Sequence, residues 1–190
     1  MYEQKAASVK EALENFVGKE QVDGVTCSKT NQEVMAWQQM TLEKLPVVLV
    51  LHLKWFGYTL DGCKKILKTV EFPIELKIDS SEFGFWLFLV AYNFQITNVS
   101  ISEIISSKKY SQKQKQYKLF AVVYHDGKEA SKGHYITDAF HCGYSCWLRY
   151  DDSSVKVINE NSVLHPRVPR VPYLLYYRRS DTIGQQNNHK

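Results

Sequence analysis

The sequence predicts an α+β protein in which one short amphipathic helix precedes an extensive, mainly antiparallel β-sheet. Three observations carry this. Ala7, Val9, Ala12, Leu13, Phe16 and Val17 recur at helical spacing, with Lys10, Glu11, Glu14 and Asn15 falling between them. The run Leu45-Pro46-Val47-Val48-Leu49-Val50-Leu51-His52-Leu53 is β-branched and continuous, as a strand buried on both faces of a sheet must be. After Tyr117, short apolar stretches alternate with loops containing Gly127, Gly133 and Gly143, the signature of an antiparallel meander.

In chain order, residues 1–20 read as the helix. Ser8 followed by Glu11 fits a capping box, and Gly18 ends the element. The apolar run 45–53 follows as a strand central in the sheet. Asp61-Gly62 marks a turn into a second extended stretch, 66–78, which Pro73 confines to an edge or a bulge. Residues 80–115 stand apart. Phe83-Gly84-Phe85-Trp86-Leu87-Phe88-Leu89-Val90-Ala91-Tyr92 is apolar and gives way to a polar tract ending in Lys113-Gln114-Lys115. The apolar part is shorter than the ~20 residues a membrane-spanning helix needs. A buried strand, an exposed partner-binding patch and a poorly folded insertion all remain open for it. Strands are then expected over 117–124, 134–140, 146–150, 155–158 and 172–178, and residues 180–190 read as a disordered tail.

With 190 residues, 44% of them hydrophobic, the chain has material for one substantial core. Lys and Arg outnumber Asp and Glu by only 24 to 20, a charge too small and too scattered to predict a nucleic-acid partner, although a partner with an acidic face is compatible with it. Cys27, Cys63, Cys142 and Cys146, with no secretory leader, point to a reducing compartment, nuclear or cytosolic.

The candidate chemistry lies in the last third. His134 follows Gly133 at the start of one predicted strand, and Asp151-Asp152 closes another. A base and a carboxylate on neighbouring antiparallel strands could meet across the ladder, as the imidazole and its orienting acid do in a Cys-His-Asp hydrolase. Taken singly, His134 reads equally well as a surface or core histidine, and Asp151-Asp152-Ser153-Ser154 as a turn. Gly133 would leave the backbone room for a passing substrate chain. His141, Cys142 and Cys146 do not make a zinc shell, because alternation sends His141 and Cys142 to opposite faces and no second Cys-x-x-Cys pair completes four ligands. Cys27-Ser28-Lys29-Thr30 offers one thiolate where a zinc ribbon needs two. No metal and no cofactor are expected.

Several motifs in order, Leu42-Glu43-Lys44-Leu45-Pro46, Val48-Leu49-Val50-Leu51-His52-Leu53-Lys54, Lys118-Leu119-Phe120-Ala121-Val122-Val123-Tyr124-His125, Gly133-His134-Tyr135, Trp147-Leu148-Arg149, Asp151-Asp152 and Tyr173-Leu174-Leu175-Tyr176-Tyr177-Arg178-Arg179, resemble the C-terminal half of the ubiquitin-specific cysteine proteases. The resemblance implies a papain-like fold of fingers, palm and thumb, of which residues 1–179 would be the fingers and the antiparallel β palm, interrupted by the 80–115 insertion. It implies cleavage of the isopeptide bond after the terminal glycine of ubiquitin, with ubiquitin and ubiquitinated proteins as partners. By resemblance His134 is the general base, Asp151 its orienting acid, and Asp152 a transition-state helper. Gly133 and Tyr135 would line the path of the ubiquitin tail, and Asp126 and Glu129, in the loop before His134, would meet its basic residues. That loop also reads as an ordinary solvated hairpin.

The departures are equally specific. The family's nucleophilic cysteine sits at a helix N-terminus early in the catalytic domain, where the dipole lowers the thiol pKa, and none of the four cysteines occupies such a motif. Trp55 stands where the family usually has arginine, and Val47 where two prolines are common. The expectation is a hydrolase part that is inactive alone. A ubiquitin-binding pseudoenzyme and a non-functional truncated product are the alternatives.

Overall fold

The computed structural model describes residues 6–16, 19–39, 44–59, 62–78, 94–97 and 110–184. Along these the chain forms α1 (Val9–Phe16), β1 (Lys19–Thr26), β2 (Glu33–Gln39), β3 (Val48–Leu53), β4 (Phe56–Thr59), β5 (Gly62–Lys65), β6 (Glu75–Lys77), β7 (Phe94–Thr97), β8 (Gln116–Asp126), β9 (His134–His141), β10 (Cys146–Asp151), β11 (Ser154–Ile158), α2 (Glu160–Leu164) and β12 (Val171–Arg179). Eight strands make one sheet in the order β11-β10-β9-β8-β12-β3-β7, with β6 also paired to β8. Every pairing in it is antiparallel. β1 with β2, and β4 with β5, form separate two-stranded sheets.

The helix is shorter than expected. Half of the predicted capping box forms: Ser8 Oγ accepts from the Glu11 amide at 3.1 Å, while the Glu11 carboxylate reaches one residue further back and accepts from the Ala7 amide at 2.7 Å. Val9, Ala12, Leu13 and Phe16 face the core, whereas Ala7 lies before the helix and is exposed. Main-chain bonds from Val9 to Glu71 and from Glu71 to Ala7 dock this end of the helix on the extended stretch 66–78. Within that stretch only Glu75–Lys77 is a ladder strand, and Pro73 lends its carbonyl to the Tyr177 hydroxyl at 2.7 Å.

β3 runs between β12 and β7, with Leu49, Leu51 and Leu53 in the core and Val50 also buried. It has a strand on each edge, the central place its apolar run predicts, although one face is only partly covered, with Val48 exposed and His52 half-buried. The meander β8-β9-β10-β11 follows the predicted strands closely. β12 then returns to pair with β8 and β3, closing the sheet around Tyr117, Tyr124 and Tyr177, which are fully buried. Each of these hydroxyls reaches a carbonyl, of Pro46, Val163 and Pro73 in turn, so none of these three buried phenols is left unpaired. Trp55 is a core anchor whose indole N–H donates to the Pro172 carbonyl.

Of the 80–115 stretch, β7 and residues 110–115 are described. Tyr110 accepts from the Leu45 amide, and Ser111 caps a short 3₁₀ turn over Gln112–Lys115. The apolar run 83–92 lies outside the described residues. The sequence missed α2, whose signal is Asn159: its side-chain oxygen accepts from the Ser162 amide at 2.7 Å. Residues 180–184, expected in the tail, are described, while 185–190 lie outside the described residues. Ser180–Thr182 forms a 3₁₀ turn, held by the Arg179 guanidinium, which binds Asp181 at 2.7 Å and the Leu45 carbonyl at 2.6 Å.

Candidate active site

β9 begins at His134 and β10 ends at Asp151, so the two residues emerge at the same end of an antiparallel pair. The register pairs Arg149 with Asp138 and Tyr150 with Thr137. Side chains alternate along a strand, which puts His134, Ile136 and Asp138 on one face with Trp147, Arg149 and Asp151. His134 therefore meets Asp151 diagonally across the ladder. Its Nε2 lies 2.7 Å from Asp151 Oδ1, with both side chains part-exposed, at 43% and 36%. The hydrogen bond to Asp151 raises the pKa of His134, helped by the charges of Asp152 and Asp126 and opposed by desolvation. The same bond lowers the pKa of Asp151. Nδ1 is the ring nitrogen turned away from the acid, and among the described residues it has no hydrogen-bond partner.

Asp152 takes the left-handed backbone of the β10–β11 turn, with φ of 50°, a conformation that Asp tolerates. Its Oδ2 is 4.0 Å from His134 Nε2 and its side chain is 83% exposed. The ligand atoms of His134, Asp151 and Asp152 all lie within 4.8 Å of one another, a spacing that a divalent cation could bridge.

A deeper ion pair supports this end of the ladder. Arg149 donates twice to Asp138, Nε to Oδ1 and Nη2 to Oδ2, each at 2.7 Å, and Asp138 is fully buried. The bidentate geometry satisfies both oxygens of a carboxylate buried inside the sheet.

Gly133 has a tighter role than sequence alone suggested. A Cβ there would stand 2.3 Å from His125 Nε2 and 2.8 Å from the Asp126 carbonyl. The space a side chain would take is filled by the buried His125 ring of the same protein. Burial, and after it the Lys65 charge, lowers the pKa of His125. Tyr135 points to the opposite sheet face, 54% exposed, where its ring meets His125 at 5.2 Å and Tyr173 at 5.6 Å. Asp126 is not a free acid: its Oδ2 accepts both Nε and Nη2 of Arg170, at 2.9 and 2.7 Å. Glu129 is exposed and pairs within the loop to Lys132 at 3.3 Å.

None of Cys27, Cys142 and Cys146 bonds His134. Cys146 pairs with His141 at the far end of β9, seven residues or about 20 Å along the strand from His134. Cys27 lies beyond β1, on a separate sheet. The Thr30 hydroxyl, and after it the Lys29 and Thr30 amides, lower its thiol pKa. The sequence identified His134 and Asp151, but not Lys65, His125, Arg149 or Arg170, because their partners are distant in the chain and no local pattern marks them.

The profile of the family described as ubiquitin carboxyl-terminal hydrolase matches residues 3–177. The chain belongs to that family. It is 44% identical over 180 residues to mouse ubiquitin carboxyl-terminal hydrolase 10, a match covering 94% of this chain and 20% of the relative. It is 32% identical over 171 residues to ubiquitin hydrolase B of Dictyostelium discoideum, covering 90% of this chain and 31% of that protein. Among solved structures, the SAGA Ubp8/Sgf11/Sus1/Sgf73 DUB module bound to ubiquitin aldehyde superposes with a TM-score of 0.66 at 28% identity, over 92% of this chain and 34% of the other. The fold is thus the papain-like fold of the ubiquitin-specific proteases, α+β and dominated by antiparallel sheet. The chain spans 20% of the length of its vertebrate relatives.

Proposed function

We propose that residues 1–179 are the base-carrying part of a deubiquitinase catalytic domain and that these 190 residues do not cleave by themselves. In this reading His134 takes the proton of a thiol supplied from elsewhere, Asp151 orients the imidazole and stabilises its charged form, and Asp152 adds negative charge beside it. The bond acted on is the isopeptide bond after the terminal glycine of ubiquitin. Gly133 and Tyr135 line the approach of the ubiquitin tail, with Glu129 the loop acid available to its basic residues. Asp126 serves instead to hold the loop through Arg170.

The observation that carries the reading is the 2.7 Å contact between His134 and Asp151 in a member of this family, with no thiol bonded to that histidine among the described residues. The same observation favours a ubiquitin-binding module over a working hydrolase for the chain alone, since a base without its nucleophile has no covalent route.

The test mixes the chain with ubiquitin ending in a thiol-reactive electrophile and with isotope-labelled ubiquitin. We expect no covalent adduct by mass spectrometry, together with shifted resonances at the ubiquitin C-terminus. An adduct mapped to one cysteine and lost in His134→Ala would overturn the inactivity. Unshifted resonances in the presence of folded chain would overturn ubiquitin binding.

A further inference from the structure

We propose that Lys65 is a positioning residue, a clamp on the neck of the 127–133 loop that keeps His134 within reach of Asp151. The inference rests on reading those two residues as base and orienting acid, and assigns the device that aligns them.

Lys65 is the last residue of β5, outside the large sheet, yet its ammonium is spent on that sheet's chain. It donates to the carbonyls of His125 and Pro169, each at 3.1 Å, and to that of Gly127. A lysine ammonium has three donors. All three go here to main-chain oxygens, from positions 60, 62 and 104 residues away in sequence. The ion thus ties three backbone points together without using another side chain. Burial lowers its pKa, against the opposing charge of Asp126.

Those three points surround the origin of the site. His125 and Gly127 flank Asp126, whose carboxylate is held by Arg170, the neighbour of Pro169. Two cations therefore fix residues 125–127 against 169–170. Asp126 is the ladder partner of His134. Across the neck, a Cβ on Gly127 would stand 2.6 Å from the Lys132 carbonyl and 2.8 Å from the Gly133 Cα, so both ends of the loop touch immediately before His134. Because His134 is the first residue of β9, no ladder pair precedes it, and the neck is its support on that side. Releasing Gly127 would let the Asp126–His134 pair open and carry the imidazole off Asp151.

The experiment is proton and nitrogen NMR of the histidine rings in the 190-residue chain, with folding followed from the amide spectrum. In the parent, the Nε2 proton of His134 should appear downfield, and its titration midpoint should exceed that of His134 in Asp151→Asn. In folded Lys65→Met we expect the downfield proton to be lost and the midpoint to fall at least halfway to the Asp151→Asn value. Lys10→Met, altered on the exposed face of α1, should match the parent. Gly127→Ala forces the neck apart with Lys65 intact and should give the same loss, and it decides the matter if Lys65→Met does not fold. Retention of the parent signal and midpoint in the folded variants would overturn the clamp while leaving the His134–Asp151 pair standing. A parent whose His134 is unaltered by Asp151→Asn would overturn the clamp together with the pairing it rests on.

Discussion

Asp138 is the position where the loss of one side chain should cost most. Its carboxylate is fully buried and accepts two bonds of 2.7 Å from Arg149, whose own side chain is 15% exposed. Asp138→Ala removes the acceptor and strands a guanidinium that water barely reaches. Breaking one side of such a pair costs about 3–5 kcal/mol, a large share of the roughly 5–15 kcal/mol that holds a domain folded. At about 2–4 °C per kcal/mol for a chain of this size, the melting temperature should fall by roughly 6–20 °C. The paired replacement Asp138→Leu with Arg149→Met removes both charges and keeps the volume filled, and should lie within about 2 kcal/mol of the parent. Urea unfolding followed by tryptophan fluorescence is the assay, since Trp147 neighbours the pair on β10 and packs on Phe140 at 5.6 Å. A loss below about 1 kcal/mol for Asp138→Ala, or a double variant as unstable as the two single changes added together, would refute the reasoning.

Two further predictions concern the mouth of the site. Gly133→Ala places a methyl 2.3 Å from the His125 ring and should destabilise by about 1–3 kcal/mol through overpacking, partly relieved in the same urea assay by a second change, His125→Ala; an unaltered Gly133→Ala midpoint would reject the close approach. The His134–Asp151 pair should also give a defined pH signature. The raised His134 pKa contributes stability that is full below its unfolded value of about 6.5 and is lost as pH rises through the folded one. The lowered Asp151 pKa contributes above its unfolded value of about 3.9 and is lost as pH falls through the folded one. The stability difference between the parent and Asp151→Asn should therefore be widest between about pH 4 and 6.5 and shrink on either side; a difference that stays the same on both sides of that window would show that the pair does not form.

What could be read from the sequence, and what could not, divides along the range of the interaction. The Ser8 cap on the Glu11 amide, the buried run of β3, the meander strands and the alternation that sends His134 and Asp151 to one face are local or periodic properties, and residues that follow one another determine them. The short extent of α1 and the presence of α2 were less legible, because a few hydrogen bonds to Glu71 and Asn159 decide them.

The proximity of His134 and Asp151 is legible in the sequence because an antiparallel ladder brings the ends of neighbouring strands together by register alone. The 2.7 Å separation and the choice of Nε2 as the nitrogen facing Asp151 depend on how the two strands are held. The occupation of the Gly133 space by His125, the engagement of Asp126 by Arg170 and the three carbonyls on Lys65 join segments between eight and 104 residues apart. Such contacts leave no periodic trace in the chain. The Arg170 and Lys65 contacts exist only once β12 has closed against β8 and the small β4–β5 sheet has docked beside it, so packing of the whole, rather than any local preference, decided where those charges went.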